Sequence, residues 1–399
     1  MTKISDIIVV GGGIGGLATA LSIVQRTDKT VTVLEQAPEF GEVGAGIQLG
    51  ANALYVLDQL GVKEEIAKVS VFPKRLVLKD VYTAKELAVL DLTEGFQEHF
   101  KQPYVVLHRS DLHRVLFEAC QKHDRIKFMN DQIIQTVEQT TGQATVTNQN
   151  GETYSAEAVI GADGLKSNIR KLFSNDEPIC SEYVAYRGTI PIEEITAKGD
   201  VAMDDVIMWI GPNLHLVQYP VRRGELYNQV VVFKTYDYKP DGDWGTPEEM
   251  EKRFKGAHPL VERALEFIST QFRWGMFDRS PIENWTEGNV TLLGDAAHPM
   301  LQYLAQGGAQ ALEDAYVLGE ALESEATYNE AFTKYQAERQ PRSAMVQTSA
   351  RKWGEIIHAD DDIKVLLRDT IFNNHKATDY EVADFLYNYF NTRKNEVKA

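Results

Sequence analysis

Four β-branched residues, Ile7-Ile8-Val9-Val10, run directly into glycines spaced Gly11-x-Gly13-x-x-Gly16. An apolar stretch from Leu17 to Val24 then reads as a helix, and Val31-Thr32-Val33-Leu34 reads as a second strand ending on Glu35. Strand, tight turn, helix and strand in this order restrict the chain to a Rossmann-like α/β unit. The glycines let the backbone turn sharply, approach a pyrophosphate closely and pack the helix against the strand. A helix opening at Ile14 offers free N–H groups and a partial positive charge to the phosphates. Glu35 stands where an acid takes ribose hydroxyls. Gly11, Gly13, Ile14, Gly16 and Glu35 are therefore read as a dinucleotide site.

Two later stretches repeat part of this pattern. Ala158-Val159-Ile160 runs into Gly161-Ala162-Asp163-Gly164, with Ser167 and Arg170 at the start of an expected helix, and Val290-Thr291-Leu292-Leu293 runs into Gly294-Asp295-Ala296-Ala297-His298-Pro299. If these strands lie parallel to the first in one sheet, their C-terminal ends share one crevice, and a single long ligand explains all three motifs. Gly41 to Leu49, including Gln48, is rich in small residues that would let backbone lie against a flat ligand. Arg109 is placed just before a helix expected to run to His123, with Ser110 or Asp111 as its N-cap.

At 399 residues the chain is too long for one ordinary core. A net charge of −17 argues against nucleic acid or an anionic membrane as partner, and an anionic substrate would need local cations. Cys120 and Cys180 are the only cysteines and have no partners at metal-ligand spacing, so neither a disulfide framework nor a metal site is expected. No apolar run approaches the roughly 20 residues that span a bilayer, and a cytoplasmic location is expected by default.

Strands are expected between Lys74 and Leu92, followed by a polar, poorly patterned stretch to Gln102. Asn150-Gly151 reads as a type I′ hairpin turn. From Tyr183 to Phe233 the chain is strand-rich and reads as a second, antiparallel domain. Helices are expected from Pro247 to Phe267, from Gln306 to Leu322 and through most of the remainder, with Pro341 as a kink or boundary.

With these motifs in this order, the chain resembles the FAD-dependent aromatic hydroxylases of the para-hydroxybenzoate-hydroxylase type. The resemblance implies that Gly11, Gly13, Gly16 and Glu35 hold the adenosine diphosphate and that Asp163 belongs to the family's Asp-Gly segment. It implies further that Asp295 meets the ribityl chain and that Arg109 lies near the cofactor. N–H groups at Gly307 and Gly308 would face the flavin pyrimidine edge. FAD would be reduced by NADH or NADPH, react with O2 and pass one oxygen atom to a phenolic acid. Where the family often carries a proline, this chain has Gln302.

His215, Val217 and Tyr219 fall on one face of a strand. Together with Gln302, His215 and Tyr219 resemble the branch that converts 3-hydroxybenzoate to 2,5-dihydroxybenzoate (gentisate), with His215 sharing the phenol proton. Salicylate- or 6-hydroxynicotinate-type hydroxylation, and a non-oxygenating FAD redox protein, stay open as alternatives. The expected architecture is an FAD domain assembled from 1–73, 103–178 and 280–330, and a substrate domain from 74–102 and 179–279. A C-terminal helical region, 331–399, either packs beside them or forms a homodimer contact through exposed aromatics near Tyr387, Tyr389 and Phe390.

Overall fold

The computed structural model describes residues 2–41, 44–197, 199, 201–240 and 242–396; Glu42 and Val43 of the small-residue segment and residues 397–399 of the C-terminal region lie outside them. The expected nucleotide sheet forms. Strands Ile7–Val10, Val31–Leu34, Ala158–Gly161 and Val290–Leu292 are buried along their whole length, as parallel strands covered on both faces must be. The six-stranded order is Thr286–Glu287, Val290–Leu292, Ala158–Gly161, Ile7–Val10, Val31–Leu34, Ile126–Met129. All neighbours pair in parallel except the first two. The three glycine-ended strands are thus adjacent, and their C-terminal ends open on one crevice. Helix Ile14–Arg26 follows the first strand and has no side-chain cap at its N-terminus.

A seven-stranded sheet lies over this crevice, in the order Trp274–Asp278, Ile179–Pro191, Leu226–Lys234, Leu214–Val221, Asp205–Gly211, Arg75–Asp80, Glu86–Asp91. It is mixed rather than antiparallel throughout, because Asp205–Gly211 joins Arg75–Asp80 in parallel. A two-stranded ribbon, Gly46–Leu49 with Val105–His108, sits between the two sheets' residues in the crevice wall.

Several local expectations are corrected. The stretch before Gln102 contains a helix, Glu94–Phe100. Its two phenylalanines, too few to show a period, are buried in an aromatic cluster with Tyr104, Tyr380 and Tyr387. At Asn150-Gly151 only Gly151 has positive φ, +79°. The turn is closed by Gly151 N–H donating to the Asn148 carbonyl at 3.0 Å, while the Asn148 side chain accepts from Asn150 and Glu152 N–H, so a type I turn ending on a left-handed glycine replaces type I′. Helix Arg109–Gln121 begins at Arg109 with no side-chain cap. Asp111 instead takes Arg222 at 2.9 Å, and Ser110 takes His108. After Ser167 only a short 3₁₀ turn forms, Ile169–Leu172. Pro247–Arg253 and Pro259–Leu265 are two short helices, not one. Pro341 lies inside the 30-residue helix Tyr328–Ile357 and is no boundary. Tyr387 and Phe390 are buried, and Tyr389 is half-buried with its hydroxyl on Glu338, so these three aromatics pack within the chain and are not exposed as expected.

Under the crevice, helix Gly307–Ser324 is tied to Tyr328–Ile357 by ion pairs with almost no exposure. Arg339 donates to Glu313 at 2.5 Å and to Asp314 at 2.7 Å, and Arg342 donates to Glu313 at 3.1 Å. The two arginines hold the Glu313 carboxyl below its ordinary value despite its burial. Asp314 also accepts from His298 at 2.6 Å and from the Gly294 N–H at 2.9 Å. Replacing Arg339 by Met would remove one charge partner from each buried carboxylate, leaving Arg342 on Glu313 and His298 on Asp314. We expect Arg339→Met to cost about 3–5 kcal/mol in urea unfolding; a loss under about 1 kcal/mol would show that the network is not needed.

Candidate active site

The crevice encloses a cavity of about 680 Å³ running from the first glycine turn to the underside of the seven-stranded sheet and the C-terminal helices. At one end the backbone is shaped by close approach. Gly11 has φ +112°, and a Cβ there would stand 2.2 Å from the Ala162 carbonyl oxygen; a Cβ on Gly16 would stand 1.9 Å from the Gly11 carbonyl oxygen. These two glycines make the turn and the strand-to-helix packing and do not line the cavity. Gly13 differs, because a Cβ there would meet nothing within 4 Å, and Gly13 and Ile14 line the cavity. The space beside Gly13 is a backbone-walled cradle at an uncapped helix N-terminus, suited to a pyrophosphate.

Glu35 stands at its strand end with one carboxylate oxygen accepting from the Gly12 N–H at 2.7 Å and the other from the Ala37 N–H at 2.8 Å. It braces the glycine turn and lies outside the cavity lining. Asp163 is likewise not brought to the cavity: it accepts from Ser167 at 2.5 Å and from the Asn168 and Ile169 N–H groups at 2.8 and 3.2 Å. Burial raises its carboxyl above the ordinary value against these bonds. Its neighbours Ala162 and Gly164 line the cavity in its place. Arg170, buried, joins this segment to the next by donating to the Ala296 and Ala297 carbonyls at 2.9 and 2.7 Å and pairing with Asp176.

At the middle of the cavity stand Asp295, Arg109, Gln48, Gly307 and Gly308. Asp295 is surrounded by protein, yet its side-chain surface is open to the cavity, and among the described residues it makes no side-chain hydrogen bond. Burial raises its carboxyl and the Arg109 guanidinium pulls it back down. Helix Gly307–Ser324 points its N-terminus here without a side-chain cap, so its first N–H groups remain available to a ligand. An acceptor for hydroxyls, a cation, and a helix N-terminus in sequence fit the ribityl chain and pyrimidine edge of a flavin.

The far end is apolar. Leu76, Leu78, Met208, Val217 and Val230 form the roof, and among them Leu214–Val221 presents His215, Val217 and Tyr219, as the alternation along a strand requires. Gln302 reaches the same space from the turn Gln302–Leu304. Tyr219 hydrogen-bonds the Gln48 amide, whose oxygen accepts from the Tyr104 hydroxyl at 2.6 Å. Burial raises the Tyr219 phenol, so it orients as a neutral group. A Cβ on Gly46 would stand 2.7 Å from the Tyr219 hydroxyl, which explains the glycine on that strand. His215 is 1% exposed, and burial lowers its imidazole to about 3. Its Nδ1 is held 2.7 Å from Nε2 of His358, leaving Nε2 for the cavity. The ring of the adjacent Tyr303 meets His215 edge-on at 5.7 Å; Tyr303 falls in the His298–Leu304 stretch without a role of its own there, and His358 lies in no motif.

The chain matches the family model described as an FAD binding domain over residues 5–350. It is 38% identical over 388 residues to 3-hydroxybenzoate 6-hydroxylase of Polaromonas naphthalenivorans (strain CJ2), covering 96% of each chain. It is also 38% identical over 364 residues to 3-hydroxybenzoate 6-hydroxylase of Klebsiella oxytoca, covering 90% of each. Among solved structures, Klebsiella pneumoniae HpxO complexed with FAD and uric acid superposes with a TM-score of 0.81 at 23% identity, covering 93% of each chain. The chain belongs to the FAD-binding family of flavoprotein aromatic hydroxylases. It is a monooxygenase with FAD as cofactor, and among the described residues no helix is long and apolar enough to cross a membrane.

Two outcomes follow from this geometry. Gly13→Val would fill the open cradle without disturbing backbone, so the variant is expected to fold with unchanged circular dichroism and to lose flavin on gel filtration; full flavin occupancy would refute the cradle. The buried histidine pair makes the fold acid-sensitive. In the unfolded chain each imidazole takes a proton near pH 6.5, whereas in the folded chain His215 stays neutral to about 3. Stability present above pH 6.5 is therefore lost as pH falls toward 3, by up to about 1.4 kcal/mol per pH unit for each histidine. Between pH 7 and pH 5, His215→Leu should lose about 1–2 kcal/mol less than the parent in urea unfolding; equal losses would contradict the buried neutral state.

Proposed function

We propose that this chain hydroxylates 3-hydroxybenzoate para to its hydroxyl group, giving 2,5-dihydroxybenzoate, with a nicotinamide cofactor and O2 as co-substrates. The observation that carries the reading is the convergence of His215, Tyr219 and Gln302 on the apolar end of the cavity that Gly13, Asp295, Arg109 and Gly308 also line. The two relatives at 38% identity bear the name of this activity.

FAD, when bound, would supply the redox chemistry that links the nicotinamide and O2 to hydroxylation of the ring. The chain's own contribution is electrostatic and steric. Gly13, Ile14, Arg109, Asp295, Gly307 and Gly308 hold the cofactor. The roof from Leu76 to Val230 keeps water from the reacting carbon. His215 Nε2 takes or shares the phenol proton, which makes the ring more electron-rich where oxygen must attack. Burial keeps His215 neutral with Nε2 free as an acceptor but also weakens it as a base, so the proton is shared until the charge of the phenolate beside it favours the imidazolium. Tyr219, fixed by Gln48, orients the phenol oxygen, and Gln302 holds the ring from the cofactor side as both donor and acceptor.

Incubation with 3-hydroxybenzoate, NADH and air is expected to yield 2,5-dihydroxybenzoate by chromatography, with NADH use accelerated by the substrate. His215→Ala is expected to slow hydroxylation about 10²–10⁴-fold, with the NADH that it consumes recovered as hydrogen peroxide. A different hydroxylated product, or peroxide alone from the parent enzyme, would reject the substrate assignment. A parent-like product-to-NADH ratio in His215→Ala would remove His215 as the base.

A further inference from the structure

The base at the cavity roof has a second imidazole behind it. His215 Nδ1 and His358 Nε2 are 2.7 Å apart, while the ring centroids are 5.0 Å apart with planes inclined by 19°. So short a nitrogen contact between such distant centroids places the rings edge to edge in nearly one plane. That is the geometry of a straight N–H···N hydrogen bond, not of face-to-face stacking.

His358 is held from several sides. It is the C-cap residue of Tyr328–Ile357, donates its N–H to the Gly354 carbonyl at 3.0 Å and accepts the Asn213 N–H on its own carbonyl at 3.1 Å. The Tyr183 ring lies over it at 4.6 Å and 17°, and the Tyr303 ring meets it edge-on at 5.1 Å and 85°. Both phenols are raised by burial and stay neutral. The charges around this cluster are Asp360, which accepts from Asn213 at 3.0 Å, Lys364, 3.7 Å from Asp360 and 3.1 Å from Asp361, and, acting on Tyr183 and Tyr303, Arg253, Glu182 and Asp278. Among the described residues neither imidazole is paired with a carboxylate. Burial, with His215 beside it, holds the His358 imidazole well below its ordinary value, so a cation there depends on the phenolate's charge, and the negative end of the helix dipole favours it at His358 over His215.

Resting on the assignment of His215 as the base, we propose that His358 is a positioning residue that receives the substrate's phenolic proton through His215. The phenol O–H bond breaks and its proton goes to His215 Nε2. The proton on His215 Nδ1 moves along the hydrogen bond to His358 Nε2. His215 ends neutral in the opposite tautomer, His358 ends as the imidazolium, and the ring is left as phenolate. No electrons move, and the return of the two protons regenerates the hydroxyl after oxygen transfer. Charge separation between phenolate and imidazolium is thereby widened by one ring, and the cavity itself carries only the phenolate.

The test is made on the FAD-loaded enzyme with 3-hydroxybenzoate and no nicotinamide, so that nothing turns over. The phenolate absorption band of the bound ligand is titrated; a free phenol ionises near pH 10, and the parent complex is expected to show the band at least one pH unit lower. His358→Gln keeps a hydrogen-bond partner that cannot carry the proton. It is expected to bind 3-hydroxybenzoate within about threefold of the parent, to shift the band upward by about one pH unit or more, and to lower the product-to-NADH ratio about tenfold. Nitrogen-15 spectra of the histidine-labelled parent enzyme, which need no variant, are expected to show one ring becoming imidazolium on ligand binding. An unshifted band in His358→Gln, or no imidazolium in the parent, overturns the relay. If His215→Gln abolishes the band while His358→Gln leaves it in place, the relay alone falls. If neither variant moves it, His215 is not the base and both readings fall.

Discussion

The cavity depends on a charge network that it does not itself contain. Arg339 and Arg342 neutralise Glu313 and Asp314 inside the protein, and these carboxylates lie on the helix whose N-terminus faces the cavity. Asp314 reaches back to the Gly294 N–H and to His298. One buried pair therefore fixes both the Gly294–Ala296 turn that presents Asp295 and the helix that presents Gly307 and Gly308. Buried ion pairs add little net stability, but one left incomplete is costly, so the network specifies a single relative placement of these elements more than it strengthens the fold.

The opposite wall is built on the opposite principle. Among the described residues the groups in ring or hydrogen-bond contact with the His215 side chain are aromatic rings and a second imidazole, in a wall of mostly apolar side chains. Desolvation keeps His215 uncharged at neutral pH. The cavity is thus polarised along its length, with a guanidinium, a carboxylate and a helix N-terminus at the cofactor end and neutral groups at the far end. Both halves are needed if a phenol is to be made electron-rich beside an oxidising centre.

How much of this could be read from the chain depended on how local each determinant is. Gly11, Gly13 and Gly16 act through backbone geometry at a strand end, and Asp295 is set by the glycine turn directly before it, so their spacing carries the information. Two-residue alternation puts His215 and Tyr219 on one face wherever a strand exists, but what singles them out is their resemblance, with Gln302, to one branch of the family. Glu94–Phe100 escaped because two phenylalanines set no period, and the Asn150 turn was misread because Asn148, two residues earlier, decides it through its side chain. Asp163 has the right spacing but turns its carboxylate into its own loop. His358 left no trace, since its role exists only because the end of a long helix meets the tight turn at Asn213.

The strand order of the six-stranded sheet has a consequence for how the enzyme is made. Ile7–Val10 sits between Val31–Leu34 and Ala158–Gly161, and Ala158–Gly161 in turn needs Val290–Leu292. Strands that are neighbours in this one sheet are therefore far apart in the sequence, Ile7–Val10 pairing with Ala158–Gly161 and Ala158–Gly161 with Val290–Leu292. Pairings this distant in sequence are slow to form, and until they close the apolar central strands are exposed edges. Biogenesis, more than the finished fold, is the stage at which this chain is vulnerable to aggregation.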